Sequence, residues 1–175
     1  FAPPPERREG AVLRCIGGGV WQRDYTAFLR TAELLAGDGG FEFHLVSPDL
    51  GSARVPAGVA LHRGLGDGEL VALYRSCDLV FLPLLDATSN NFLLEGAACG
   101  LPIVSSDLPG VRFHFPGPEA ELVDGNRPKA FAAVLRELAG KPERRRAMGA
   151  AARQRALRFG WKTLAREYER AYLGE

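Results

Sequence analysis

The sequence predicts an α/β fold, doubly wound, with a mainly parallel sheet of about six strands and helices on both faces. Three observations predict it. Short apolar runs alternate with segments of helical periodicity, which is the sequence form of repeated βαβ units. The first apolar run leads through Gly17-Gly18-Gly19 into a helical segment. At 175 residues and 46% hydrophobic, the chain can bury one core without disulfides or metals.

The elements follow in order. Ala11 to Ile16 reads as the first strand, the three glycines as its turn, and Arg23 to Ala36 as a helix with Phe28, Leu29, Ala32 and Leu35 on one face. Phe41 to Val46 and Val59 to His62 are strands, and Asp67 to Ser76 is a helix turned inward through Leu70, Leu73 and Tyr74. Asp78 to Leu82 is the next strand, followed by a loop to Asn90 and a helix from Asn91 to Cys99, which Gly100 ends. Leu101 to Ser105 returns as a strand, the stretch through Pro109-Gly110 is a loop, and Ala120 to Val123 is a short strand. Helices over Pro128 to Ala139, Pro142 to Leu157 and Trp161 to Tyr172 complete the chain. The last carries an apolar stripe of Trp161, Leu164, Tyr168 and Tyr172, which must pack on something.

Composition excludes several classes. A net charge of +1, from 22 basic and 21 acidic residues, leaves no global field for nucleic acid, so an anion needs a local site. Cys15, Cys77 and Cys99 are odd in number and lack metal-ligand spacing, so they read as reduced core thiols of a cytoplasmic protein. No run is long enough to span a bilayer. Residues 1–10, opening Phe1-Ala2-Pro3-Pro4-Pro5, read as a linker from a missing N-terminal domain, and 11–175 as the folded domain.

Two segments can hold an anion. Glycines after a strand allow close approach of a phosphate to Gly17 and Gly18, with Arg23 adding a charge-assisted bond; a plain βα turn with a surface Arg fits this segment equally well. Further on, Thr88, Ser89, Asn90 and Asn91 place capping groups directly before a helix, so that free N–H groups converge at its start. Glu95 follows one turn in, on a helix otherwise made of Phe92, Leu93, Leu94, Ala97 and Ala98. A carboxylate there needs hydrogen-bond donors, which a ribose diol supplies, or else a solvent-facing position. His44 and His62 read as structural, and His114, in a loop beside Arg112, as an exposed residue, with a phosphate contact as the second reading. Arg144, Arg145, Arg146, Arg153 and Arg155 read as a solvated helix face, with peripheral membrane contact of a longer protein as the second reading.

The run from Ser76-Cys77-Asp78-Leu79-Val80-Phe81-Leu82-Pro83 through Asn91-Phe92-Leu93-Leu94-Glu95-Gly96-Ala97-Ala98-Cys99-Gly100-Leu101-Pro102-Ile103-Val104-Ser105-Ser106-Asp107 resembles the donor-site signature of the retaining, nucleotide-sugar-dependent glycosyltransferases of group 1, which have two Rossmann-like domains in the GT-B arrangement. The resemblance extends over nearly the whole chain. It implies a C-terminal, donor-binding domain whose substrate is a nucleotide diphosphate sugar, with no further cofactor and no metal. Glu95 then holds the ribose hydroxyls, and the backbone of Asn90, Asn91, Phe92 and Leu93 faces the diphosphate. Arg23 binds the diphosphate and stabilises the leaving nucleotide. The base lies near Gly64, Leu65 and Leu70, with Val46-Ser47-Pro48 alongside. Three positions depart from the pattern. Ala87 stands where the family carries its first glutamate, with Asp86 beside it. Gly18 stands in place of an arginine. Pro109-Gly110-Val111-Arg112-Phe113 lacks the glutamate of the usual Gly-Gly-x-x-Glu. The family places the acceptor on the N-terminal domain, so the chain alone is expected to bind donor without turnover. A non-catalytic nucleotide-sugar-binding module and a nucleotide-sugar epimerase of the same architecture are the alternatives.

Overall fold

The structure is a computed structural model that describes residues 1–4, 10–47, 50, 53–87 and 89–174. Among them lie the strands β1 (Leu13–Gly18), β2 (Phe41–Val46), β3 (Val59–His62), β4 (Leu79–Leu82), β5 (Ile103–Ser106) and β6 (Ala120–Val123). The helices are α1 (Tyr25–Leu35), α2 (Asp67–Ser76), α3 (Asn91–Ala98), α4 (Pro109–His114), α5 (Pro128–Ala139), α6 (Pro142–Leu157) and α7 (Trp161–Leu173). The sheet order is β3-β2-β1-β4-β5-β6 and each neighbouring pair is parallel. The sheet therefore winds outward in both directions from the β1/β4 seam, and in such sheets the crevice at that switch point opens at the strands' carboxyl ends. The Rossmann-like expectation is met.

Each face of the sheet carries its own apolar layer. On one side Phe28, Ala32 and Leu35 of α1 and Phe131, Leu135 and Leu138 of α5 cover Cys15, Phe43, Phe81 and Val104. Phe81 stacks on Phe28 with ring centroids 5.0 Å apart and meets Phe131 edge-on at 5.2 Å. On the other side Tyr74 of α2, Phe92, Leu93 and Ala97 of α3, and Ala152 and Ala156 of α6 cover Ile16, Val80, Leu82 and Ile103. Every residue of β4 is buried, because both of its faces lie under helices, and this is why Leu79-Val80-Phe81-Leu82 reads as an unbroken apolar run.

Several strand and helix ends shift by one or two residues from the sequence expectation, and three differences shape the site. β1 runs on through Gly17 and Gly18 to pair with Leu45 and Val46, so these glycines are strand residues and the turn begins at Gly19. Packing demands their lack of a side chain. A Cβ on Gly17 would press on the Phe81 carbonyl oxygen and stand 2.6 Å from Phe28 Cε2, and one on Gly18 would stand 2.8 Å from Phe92 Cε2. α1 starts at Tyr25 rather than Arg23, because Asp24 is its N-cap: Asp24 Oδ1 accepts the Ala27 N–H at 2.9 Å. The expected loop after β5 contains α4, a single short helix with Pro109 in its first turn.

α7 stands apart. Trp161, Tyr168 and Tyr172 are 86%, 69% and 92% exposed, so its aromatic stripe is left uncovered among the described residues. The expected linker residues Pro5 to Glu9 lie outside the described residues.

Replacing Gly17 by alanine should lower the free energy of unfolding by about 1–3 kcal/mol, the usual effect of overpacking a filled site. A urea midpoint equal to that of the unchanged chain would show that the β1/β4 seam has room for a methyl group.

Candidate functional site

The loops that leave β1 and β4 at the switch point are tied to each other. Arg23 and Leu84 form an isolated antiparallel bridge, Asp24 N–H donates to the Pro83 carbonyl at 3.0 Å, and Leu85 N–H donates to the Gln22 carbonyl at 3.0 Å. Behind them lies a side-chain knot. The Ser106 hydroxyl accepts the Leu84 N–H at 2.7 Å and donates to Asn126 Oδ1. The Asn126 amide donates to the Leu84 carbonyl at 2.8 Å and to Asp24 Oδ2 at 3.0 Å. The ends of β1, β4 and β5 and the turn after β6 are thus fixed as one rim.

Arg23 lies across Gly19 on that rim. Its Nε donates to the Gly18 carbonyl at 2.8 Å and its Nη1 to the Trp21 carbonyl at 2.6 Å. A Cβ on Gly19, whose φ is +110°, would stand 2.6 Å from Nη2. The Tyr25 hydroxyl donates to the Gly19 carbonyl from the other side. Burial lowers the Arg23 pKa from its ordinary value, yet a guanidinium remains charged at any working pH. Its Nη2 hydrogens have no partner among the described residues.

Across the seam, Asn90 caps α3. Its Oδ1 accepts the Leu93 N–H at 3.2 Å and its carbonyl accepts the Leu94 N–H at 3.1 Å. The N–H groups of Asn91 and Phe92 are the orphan donors of this helix start, and they take no partner among the described residues. Phe92 and Leu93 are buried, so they present backbone alone. Ser89 and Asp86 are exposed, and Asp86 Oδ1 accepts the Ala87 N–H at 2.8 Å. Thr88 and Pro48, both named by the sequence reading, lie outside the described residues.

One turn into α3, Glu95 is half-buried and its Oε2 accepts the Tyr74 hydroxyl at 3.1 Å. Burial pushes its carboxyl above the ordinary value; the Tyr74 hydrogen bond opposes that shift and the charge of Asp67 adds to it. Tyr74 also feels Arg23, so the cation, the phenol and the carboxylate share one electrostatic neighbourhood. Leu65, just before α2, and Leu70, in its first turns, are half-buried, and Leu70 packs against the apolar layer that includes Tyr74.

Other sequence readings resolve differently. His44 Nδ1 and His62 Nε2 lie 3.1 Å apart across β2 and β3, a pair that serves the sheet. His114 is buried at the end of α4 rather than exposed in a loop, and its carbonyl accepts Arg155 Nε at 2.6 Å. The arginines of α6 are not a free solvated face. Arg144 binds Glu121 and Glu137, Arg145 the carbonyls of Leu138 and Ala139, and Arg153 that of Ala98. A groove of about 510 Å³ beside α6, lined by Asp78, Pro102, Arg145 and Arg153 among others, contains none of the predicted site residues. Among the described residues, no group of three metal-ligating side chains forms and no helix is long and apolar enough to cross a membrane. Sequence reasoning missed Asn126, which joins Asp24 from 102 positions away and has no local signature. It also missed the bond between Tyr74 and Glu95, although it placed Tyr74 on the inner face.

A family profile described as glycosyl transferase-like matches residues 7–169. The chain belongs to that family. A D-inositol 3-phosphate glycosyltransferase of Thermobispora bispora is 32% identical over 173 residues, 98% of this chain but 37% of that protein. One from Arthrobacter sp. is 36% identical over 108 residues, covering 61% of this chain and 26% of that protein. This member of the glycosyl transferase-like family therefore spans little more than a third of the relative it matches over almost its whole length. Two solved structures share the fold: sucrose-phosphate synthase from Thermosynechococcus elongatus, with TM-score 0.77 and 20% identity over 99% of this chain and 49% of that one, and TarM, with TM-score 0.77 and 14% identity over 96% and 36%.

Ser106→Ala would leave the buried Leu84 N–H without its acceptor, which costs about 1–3 kcal/mol. Faster amide exchange at Leu84 and Leu85, with the α5 amides unchanged, is the expected signature; equal loss of protection everywhere would show that the knot does not act locally.

Proposed function

We propose that this chain is the donor-binding half of a glycosyltransferase, holding a nucleotide diphosphate sugar at the β1/β4 crevice for transfer to an acceptor with retention. One observation carries the reading. A guanidinium and a helix start whose N–H donors have no partner among the described residues, and a half-buried carboxylate, stand around the switch point of a doubly wound sheet. Arg23 and the N–H groups of Asn91 and Phe92 suit a diphosphate, which they meet with charge and with the positive end of α3. Glu95 suits the ribose diol, whose two hydroxyls donate to a carboxylate. Leu65 and Leu70 suit the face of the base. Asp86 is the carboxylate nearest in sequence to the position where the family carries its first glutamate, and Ser89 lies beside the diphosphate. Because Gly17 and Gly18 are packed within β1, they shape the floor, and the close backbone approach falls to Gly19.

Arg23 also suits the departing nucleotide, whose charge grows as the glycosidic bond breaks. The acceptor side would come from the larger part of the protein that the relatives possess, and the uncovered stripe of α7 offers a surface for it. The relatives' acceptor, D-inositol 3-phosphate, is one candidate class. Cys15, Cys77 and Cys99 are buried and form no disulfide among the described residues, which fits a cytoplasmic setting. Alone, the chain binds donor and does not turn it over, since closure that excludes water and orients the acceptor needs both halves. Ala87 favours one second reading, a module that binds nucleotide sugar without transfer; product analysis on a full-length protein separates the two.

Glu95→Gln should weaken binding of a nucleoside diphosphate by about 1–3 kcal/mol, as for a hydrogen bond to a charged group. Titration calorimetry across pH adds a sign. Burial holds the Glu95 carboxyl above its ordinary 4.5, so proton uptake on acidification begins above that value. Affinity should fall there in the unchanged chain and stay flat in the Gln variant. An affinity unaltered by Glu95→Gln would refute the ribose assignment.

Arg23→Ala should weaken diphosphate binding while leaving the nucleoside nearly untouched, and added salt should narrow the gap between the two ligands. Equal affinity for nucleoside and diphosphate at low salt would overturn the phosphate site.

A further inference from the structure

Tyr74 is completely buried between α2 and α3, yet its hydroxyl reaches the half-buried carboxylate of Glu95. The oxygen lies 3.1 Å from Glu95 Oε2 and 3.2 Å from the Phe92 carbonyl. A phenol has one proton to donate, and the charged acceptor draws it more strongly than a neutral carbonyl does. Burial and the charge of Glu95 both raise the phenol's pKa, so it stays a donor throughout the working pH range.

The ring that carries this hydroxyl is fully buried and closely packed. It packs on Phe92 with centroids 5.0 Å apart and on the edge of Phe1 at 5.9 Å. Gly96, one residue beyond Glu95, lies so close that a Cβ there would stand 3.4 Å from Tyr74 Cε1. The hydroxyl is therefore a fixed point, while Glu95 is a long side chain on an otherwise apolar helix with several rotamers open to it.

We propose that Tyr74 is a positioning residue: its hydroxyl holds Oε2 of Glu95 so that Oε1 faces the ribose diol, which makes the site selective for ribonucleotides over deoxyribonucleotides. The proposal rests on the assignment of Glu95 to the ribose. A carboxylate anchored through one oxygen presents the other in a single orientation, and the diol need not order it on binding. Tyr74 meets Phe92 through its ring and carbonyl, whereas the diphosphate donors are the Arg23 guanidinium and the N–H groups of Asn91 and Phe92, so they remain when the hydroxyl is removed.

The test compares a ribonucleoside diphosphate with its 2′,3′-dideoxy analogue in the unchanged chain, Tyr74→Phe and Glu95→Gln, alongside the Glu95 titration followed by carbon-13 NMR. Tyr74→Phe keeps the ring and removes one oxygen. It should cut the preference for the ribonucleotide about tenfold, equivalent to ~1.4 kcal/mol, leave the dideoxy analogue's affinity unchanged, and move the Glu95 midpoint upward. A full preference in Tyr74→Phe with a collapsed one in Glu95→Gln would overturn the positioning role alone. An undiminished preference in Glu95→Gln would overturn the ribose assignment and this proposal with it. Should Tyr74→Phe fail to fold, a fluorinated tyrosine at position 74 keeps the ring and strengthens the hydroxyl as a donor; a changed ribonucleotide preference with a lowered Glu95 midpoint supports the anchor, and both unchanged overturn it.

Discussion

The candidate site depends on the hydrogen-bonded knot of Ser106, Asn126, Asp24 and Leu84. Parallel strands end in loops, and loops are the softest parts of such a fold. Here the loop after β1 and the loop after β4 share one rim because Asn126 donates to both. Ser106 completes the knot from β5. Each polar group in it has a partner, which is the condition under which a buried network rigidifies a structure rather than weakening it. Asp24 has two duties, capping α1 with one oxygen and receiving Asn126 with the other. The start of α1, which carries Arg23 just before it, is thereby registered against the loop that leads into α3.

Close packing at the seam is the second half of that constraint. Gly17 and Gly18 let α1 and α3 press onto β1 from opposite sides, through Phe28 and Phe92. Phe92 belongs to the first turn of α3, so the same contact that requires a glycine in β1 also fixes how far the helix start stands from Arg23. Sheet packing and site geometry are one problem at this position.

These contacts explain what was legible in the sequence. Strands such as Phe41–Val46 and helices such as Pro128–Ala139 were readable because their periodicity is set by burial on faces that extend over several residues. The sheet's doubly wound character followed from the order of those elements. Gly17 and Gly18 misled, since glycine before a helix reads as a turn while the actual demand was steric and came from Phe81 and Val46 in other strands. α4 was hidden for a related reason: Pro109-Gly110 reads as a breaker, but Pro is well placed in a helix's first turn. The candidate site was legible at Arg23, Asn90 and Glu95, which announce themselves by charge or cap chemistry beside a helix start. Asn126 and the hydroxyl of Tyr74 were not, because their roles exist only through partners brought together by the fold.

The electrostatics of the crevice follow from the same geometry. The chain is almost neutral, with 22 basic and 21 acidic residues, and the arginines of α6 are engaged with carboxylates and carbonyls of the protein itself. Little field is left elsewhere, so the potential at the β1/β4 seam comes from local groups. A carboxyl whose folded pKa lies above its unfolded one stabilises the fold at acid pH and loses that contribution as pH rises through the folded value. Glu95 is such a group, because burial disfavours its ionised form. The Tyr74 hydroxyl reduces that cost and fixes the charge in place. On the proposed reading, a ligand carrying hydroxyl donors at one end and phosphate charge at the other would satisfy Glu95 and Arg23 at once.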